Sequence, residues 1–194
     1  GFDNPLFVIY EIPYLLESDR ILGTVELTYE PMKWLNVLYR VGVDYFSDLS
    51  KNTYPPGDAA QPTGWTGRDA SNAYQINSDL MATAKHELNE DLDGSLLLGF
   101  HLDHRESKSV GVNASRFILY DAPATFSNAL DYFPGEGFSI VRSAAVYGEL
   151  AVNLYKQVFL RATGRMESAS TYGPDADKSY FYPSVSAAWQ FTEM

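Results

Sequence analysis

Leu35-Asn36-Val37-Leu38-Tyr39-Arg40-Val41-Gly42-Val43-Asp44-Tyr45 alternates by two, with Leu35, Val37, Tyr39, Val41, Val43 and Tyr45 against Asn36, Arg40, Gly42 and Asp44. Successive side chains of a strand point to opposite faces, so a strand here has one greasy face and one wet face. A soluble antiparallel sheet has the same property, one face meeting a core and the other water. Loop lengths and aromatic placement must separate that case from a membrane wall.

The same period recurs on both sides of this stretch. Ile21, Gly23, Val25, Leu27 and Tyr29 oppose Leu22, Thr24, Glu26 and Thr28, and Glu30-Pro31-Met32-Lys33 reads as a tight turn leading to Trp34. Further strands are predicted around 74–85, 95–103, 146–154, 158–167 and 181–191, with short turns at Asn89 to Asp93 and Tyr155-Lys156-Gln157. Between the others lie stretches without period, Ser47 to Asn72, Arg105 to Arg142 and Ser168 to Lys178, which read as long loops. A strand-like patch, Phe117 to Tyr120, sits inside the second of these.

Strands of this length suit a tilted crossing of the hydrocarbon layer, which takes roughly 9–11 residues. Short turns and long loops alternate, as they do in outer-membrane barrels, where the short turns face the periplasm. On that reading Trp34, Tyr155 and Trp189 mark the periplasmic rim and Tyr45, Tyr74 and Tyr180 the outer rim. The fold class expected is all-β: an antiparallel transmembrane β-barrel wall of about seven strands.

Composition agrees with this and removes other classes. The chain has 194 residues, a net charge of -11 and 14% aromatic residues. Its acidity offers no basic stripe for nucleic acid. It has no Cys, hence no disulfide framework or thiolate metal site. No apolar run approaches the roughly 18 residues of a membrane helix. A start at Gly1, without Met or an apolar leader, is read as that of mature or excised material.

No constellation points to catalysis, a cofactor or a metal. His101 and His104 flank Asp103, but residues three apart on a strand face opposite sides. Asn89 to Gly94 is acidic without the spacing of a calcium loop, and Asp175 and Asp177 read as solvated loop residues. Glu26, Asp44 and Glu149 share a face with Arg40, Arg161 and Arg165. Two carboxylates can serve a glycosidase, but in a barrel these six residues are predicted to line a polar lumen in charge pairs. In the long loops Tyr54, Trp65, Tyr132 and Phe133 are candidates for stacking on substrate or a lid protein, or else for anchoring the loops.

Tyr182-Pro183-Ser184-Val185-Ser186-Ala187-Ala188-Trp189, preceded by Tyr172-Gly173-Pro174, resembles a late-barrel motif of the SusC/RagA family of TonB-dependent outer-membrane transporters. Arg20-Ile21-Leu22-Gly23, then Pro31, Trp34-Leu35-Asn36, Arg40, Gly42-Val43-Asp44 and Tyr45, resembles the same family, as do Ser127-Asn128-Ala129 and Ser143 to Leu150 with Tyr147-Gly148. Tyr180-Phe181-Tyr182 and Glu167-Ser168-Ala169 depart from its pattern.

The resemblance implies a larger protein, with a plug inside a barrel of about 22 strands, a SusD-like surface lipoprotein as lid, TonB acting on the plug, and import of an oligosaccharide or peptide. It also implies the outer membrane of a Gram-negative, Bacteroidetes-like bacterium. Residues 1–194 would then be part of the barrel domain without the plug, Gly1 to Asp19 the tail of an outer loop, and Met194 the approach to a periplasmic turn. Seven strands leave the first and last running the same way, so they cannot close on each other antiparallel. Two alternatives remain open: a small structural or adhesive barrel with an eighth strand within Leu6 to Leu15, and a secreted carbohydrate-binding β-sandwich.

Overall fold

The computed structural model describes residues 3–173 and 177–191. Pro174 of the Tyr172-Gly173-Pro174 motif, Asp175 of the third loop, and Gly1 and Met194 lie outside the described residues. A short helix, α1 (Pro5–Glu11), precedes seven strands: β1 (Tyr14–Met32), β2 (Leu35–Tyr54), β3 (Trp65–Asn89), β4 (Leu92–Phe117), β5 (Ala129–Leu154), β6 (Val158–Ala169) and β7 (Tyr180–Trp189). A single 3-10 turn, Phe126–Asn128, leads into β5. The strands form one open antiparallel sheet in sequence order.

Period two set the register. On β5 and β6, Leu150 faces Ala162 and Val146 faces Met166, while on the other side of the pleat Glu149 faces Thr163 and Tyr147 faces Arg165. On β6 and β7, Ala162 faces Val185 and Thr163 faces Ser184. A slip of one residue would turn every apolar side chain to the wet face. Tyr155 and Lys156 both adopt positive φ, 54° and 56°, the handedness that a tight hairpin turn requires.

Strand extents depart from the expected ones. Ser47–Tyr54, Trp65–Asn72, Arg105–Phe117 and Ala129–Arg142 are strand, so the connections shrink to 55–64 and 118–128. The patch expected to be strand-like, Phe117 to Tyr120, is instead where β4 ends. Ser47–Tyr54, Trp65–Asn72 and Arg105–Phe117 are mostly polar and carry little period to read, whereas Ala129–Arg142 keeps apolar side chains at Leu130, Tyr132, Phe138 and Ile140 but interrupts them with Pro134-Gly135-Glu136-Gly137. The alternation of short and longer connections nevertheless stands: 33–34, 90–91 and 155–157 against 55–64, 118–128 and 170–179.

Two further expectations are corrected near the start. Leu6 to Leu15 holds α1, not an eighth strand: Asn4 caps it by accepting from the Leu6 amide at 2.9 Å, and Pro5 occupies its first turn. Tyr14 to Asp19 belongs to β1 rather than to an outer loop.

The chain divides into two compact units. The first comprises Gly1–Ile21, Asp44–Tyr74 and Glu106–Ser139 and contains a small core of Ala114, Phe117 and Ala129, flanked by Ala124 and Phe126. Gly64 is required there, because its φ is +81° and a Cβ would stand 2.4 Å from the Phe117 ring. The second comprises Leu22–Val43, Gln75–Arg105 and Ile140–Met194, and Ala145 is its buried hydrophobic residue among those described.

So little is buried because the described residues form a single layer. Val25, Leu98, Val146, Leu150 and Val185 are all more than half exposed. Rows of exposed large aliphatic side chains on a regular sheet mark a surface that meets lipid or protein.

Candidate functional site: the polar face

Within the second unit, the wet positions of successive strands converge on a groove of about 460 Å³. Three arginines line it, Arg40, Arg105 and Arg165, against three carboxylates, Asp79, Asp103 and Glu167. Arg40 Nε donates to Glu26 Oε2 at 2.9 Å, Arg165 Nε to Glu167 Oε2 at 2.8 Å, and Arg105 Nε lies 2.9 Å from Asp103 Oδ2. Asp103 is buried and also accepts from Gln75 Nε2 at 2.6 Å.

His101 Nδ1 meets Asp79 Oδ1 at 2.7 Å. His104, on the opposite face, accepts from Arg142 Nε at 3.1 Å, so the two imidazoles serve different partners. In a neighbouring groove Arg161 lies 3.4 Å from Glu149, while Asn153 Nδ2 donates to Asp93 Oδ2 at 2.9 Å.

Of the residues expected on the polar face, Arg40 pairs with Glu26, Arg161 with Glu149, and Arg165 with Glu167. Glu26, Arg40, Glu149, Arg161 and Arg165 lie in the second unit. Asp44 lies in the first, where its carboxylate takes two hydrogen bonds from Arg20, at 2.9 and 2.6 Å. Glu26, Asp44, Glu149 and Glu167 each pair with a guanidinium, whereas Asp79 meets the His101 imidazole and Asp93 accepts from the Asn153 amide.

The sequence reading missed one feature of this face. Tyr147 lays its ring over Gly99, where a Cβ would stand 2.2 Å from Tyr147 Cζ, and the Arg165 guanidinium carbon lies 5.8 Å from the ring centroid. An aromatic side chain on a wet face breaks the simple apolar-polar code. The available signal was a glycine inside a strand, which often marks a close approach by a neighbour.

The four aromatic candidates lie in the first unit. Tyr54 and Trp65 pack edge to face, centroids 5.6 Å apart, across the ends of β2 and β3. The Tyr132 hydroxyl donates to Phe126 O at 2.8 Å and to Ala129 O at 3.1 Å, fixing the entry to β5. Phe133 is 58% exposed. Asn128 of the Ser-Asn-Ala motif is buried and spans the loop, accepting from the Leu119 amide at 3.0 Å and donating to the Leu119 carbonyl at 2.8 Å.

No protein-family model matches the chain, and no curated protein sequence does. Solved structures do. The RagAB peptide transporter superposes on 94% of this chain with a TM-score of 0.81 at 18% identity. The ferric preacinetobactin receptor BauA of Acinetobacter baumannii superposes on 94% with a TM-score of 0.64 at 14% identity. The fold is that of a TonB-dependent-receptor barrel wall. The chain spans 21% of the RagAB chain it matches and 30% of BauA. The SusC/RagA resemblance read from the motifs agrees with this barrel-wall fold.

Proposed function

We propose that this chain is part of the barrel wall of a SusC-like, TonB-dependent importer in the outer membrane of a Gram-negative, Bacteroidetes-like bacterium. The observation that carries the proposal is a single-layer sheet with large aliphatic side chains exposed on one face and matched charge pairs on the other, in a fold shared with RagAB over 94% of the chain. The cargo is a bulky nutrient, an oligosaccharide or a peptide; the RagAB likeness favours peptide. The role is transport, not catalysis.

Residues of the apolar face seal against lipid, and Glu26, Arg40, Asp44, Glu149, Arg161 and Arg165 line the polar lumen. Further strands complete the barrel, because β1 and β7 run in the same direction and cannot pair antiparallel. A plug pulled by TonB and a SusD-like surface lipoprotein complete the machine, and Tyr54, Trp65, Tyr132 and Phe133 belong to the part that meets lid or cargo.

The single-layer sheet leaves a β-sandwich without its second layer among the described residues, and α1 occupies the place of an eighth strand. Cell fractionation followed by growth assays tests the proposal. The protein is expected with outer membranes and soluble only in detergent, and its deletion is expected to abolish growth on oligopeptides or on a particular glycan as sole source. Recovery of the protein in the aqueous phase without detergent overturns the reading.

A further inference from the structure

Arg142 stands apart from most of the arginines. Arg20, Arg40, Arg105, Arg116, Arg161 and Arg165 each pair with a carboxylate. No carboxylate among the described residues pairs with Arg142. Its Nε donates to His104 Nδ1 at 3.1 Å, and its backbone amide donates to Ser170 Oγ at 2.9 Å. Among the described residues no partner is seen for its terminal guanidinium nitrogens, which carry four N–H donors.

Arg142 is also on the apolar face, where a cation needs a reason. It lines a groove of about 530 Å³ together with the aliphatic Ile76, Leu102 and Ala144 and the polar His104, Ser168 and Ser170. Asp103 borders the same groove but commits its carboxylate to Gln75 and Arg105. The lining thus combines aliphatic, cationic and hydroxyl groups.

Its height on the wall fits a headgroup plane. His104 is twelve residues along β4 from Leu92 at the short turn. At about 3.3 Å per residue and a tilt of about 45°, that is a rise of about 28 Å, close to the roughly 30 Å of hydrocarbon. An arginine facing lipid costs little only near the interface.

We infer that this groove binds the phosphorylated glycolipid of the outer leaflet, Arg142 holding a phosphate oxygen pair and Ile76, Leu102 and Ala144 seating an acyl chain. The inference rests on the barrel-wall reading above. Arginine matches phosphate bidentately.

The test is native mass spectrometry of the intact detergent-extracted protein, mixed with purified lipid A or its dephosphorylated form. Wild type is expected to retain lipid A about tenfold better than Arg142→Gln, the loss of one charge-assisted phosphate contact. Arg142→Lys should recover part of the difference, and both wild type and Arg142→Gln should treat the dephosphorylated lipid alike. Equal retention of lipid A by wild type and Arg142→Gln, in protein that remains micelle-borne, overturns the lipid site and leaves the wall reading standing. Displacement of lipid A by equimolar inorganic phosphate also overturns the site. Protein that needs no micelle overturns both readings.

Discussion

Gly99 and Tyr147 show how one small residue shapes the polar face. The Tyr147 ring fills the space a side chain at 99 would need, beside the Arg165 guanidinium. Gly99→Ala is expected to destabilise the wall by about 1–3 kcal/mol, the range for overpacking. In a double-mutant cycle with Tyr147→Ala that cost should largely vanish, since the two residues are in contact. Thermal unfolding in detergent measures both. Asn128 acts differently, by satisfying both the N–H and the C=O of Leu119. Asn128→Ala leaves those groups without a partner and is expected to cost about 1–3 kcal/mol locally, read as faster proteolysis within 118–128. At this scale the faces of the charged residues were legible in the sequence, because strand parity puts Arg40 on the face of Glu26 and Arg161 on that of Glu149, while the register that pairs them comes from the structure. The seating of the Tyr147 ring was not, since it depends on the gap at Gly99 in the neighbouring strand.

The β4–β5 hairpin illustrates what decides an element's length. Residues 105–117 and 129–142 pair as strand although their apolar period is sparse or interrupted, so backbone hydrogen bonding and a few tertiary anchors add to the small core of Ala114, Phe117 and Ala129. One anchor is the Arg116 and Asp131 pair, with Arg116 held at φ 59°. The hydrogen bond from Arg116, with its charge, keeps the Asp131 carboxyl below its usual range against the opposing effect of burial. A depressed folded-state value means that the contribution is complete above the unfolded Asp range, near pH 3.9, and is lost as the pH falls through the folded value. Amide exchange around Ala129 to Tyr132 should therefore accelerate below about pH 4 in wild type. Asp131→Asn should show fast exchange at every pH and little acid dependence. The same stretches explain why the sequence placed long loops at Ser47–Asn72 and Arg105–Arg142: periodicity reports an apolar face, and a strand whose apolar positions are few or interrupted leaves little trace in it.

For the whole molecule, the question is what covers the apolar face, and a graded substitution series answers it. Leu98 on β4 is six residues from Leu92, a rise of about 14 Å, near the midplane of the hydrocarbon. Leu88 lies next to the end of β3, at the short turn. Both are more than half exposed. If the cover is lipid, Leu98→Arg should cost about 2–4 kcal/mol and Leu88→Arg no more than about 1, because the cost of a cation falls towards the interface. Thr163→Arg, opposite Glu149 on the polar face, should be tolerated. Unfolding titrations in lipid vesicles give the three values. A protein layer over the sheet would penalise Leu98→Arg and Leu88→Arg according to local packing, with no dependence on distance from the turn. A gradient with depth is the mark of a bilayer, and its absence would return the apolar face to a soluble partner.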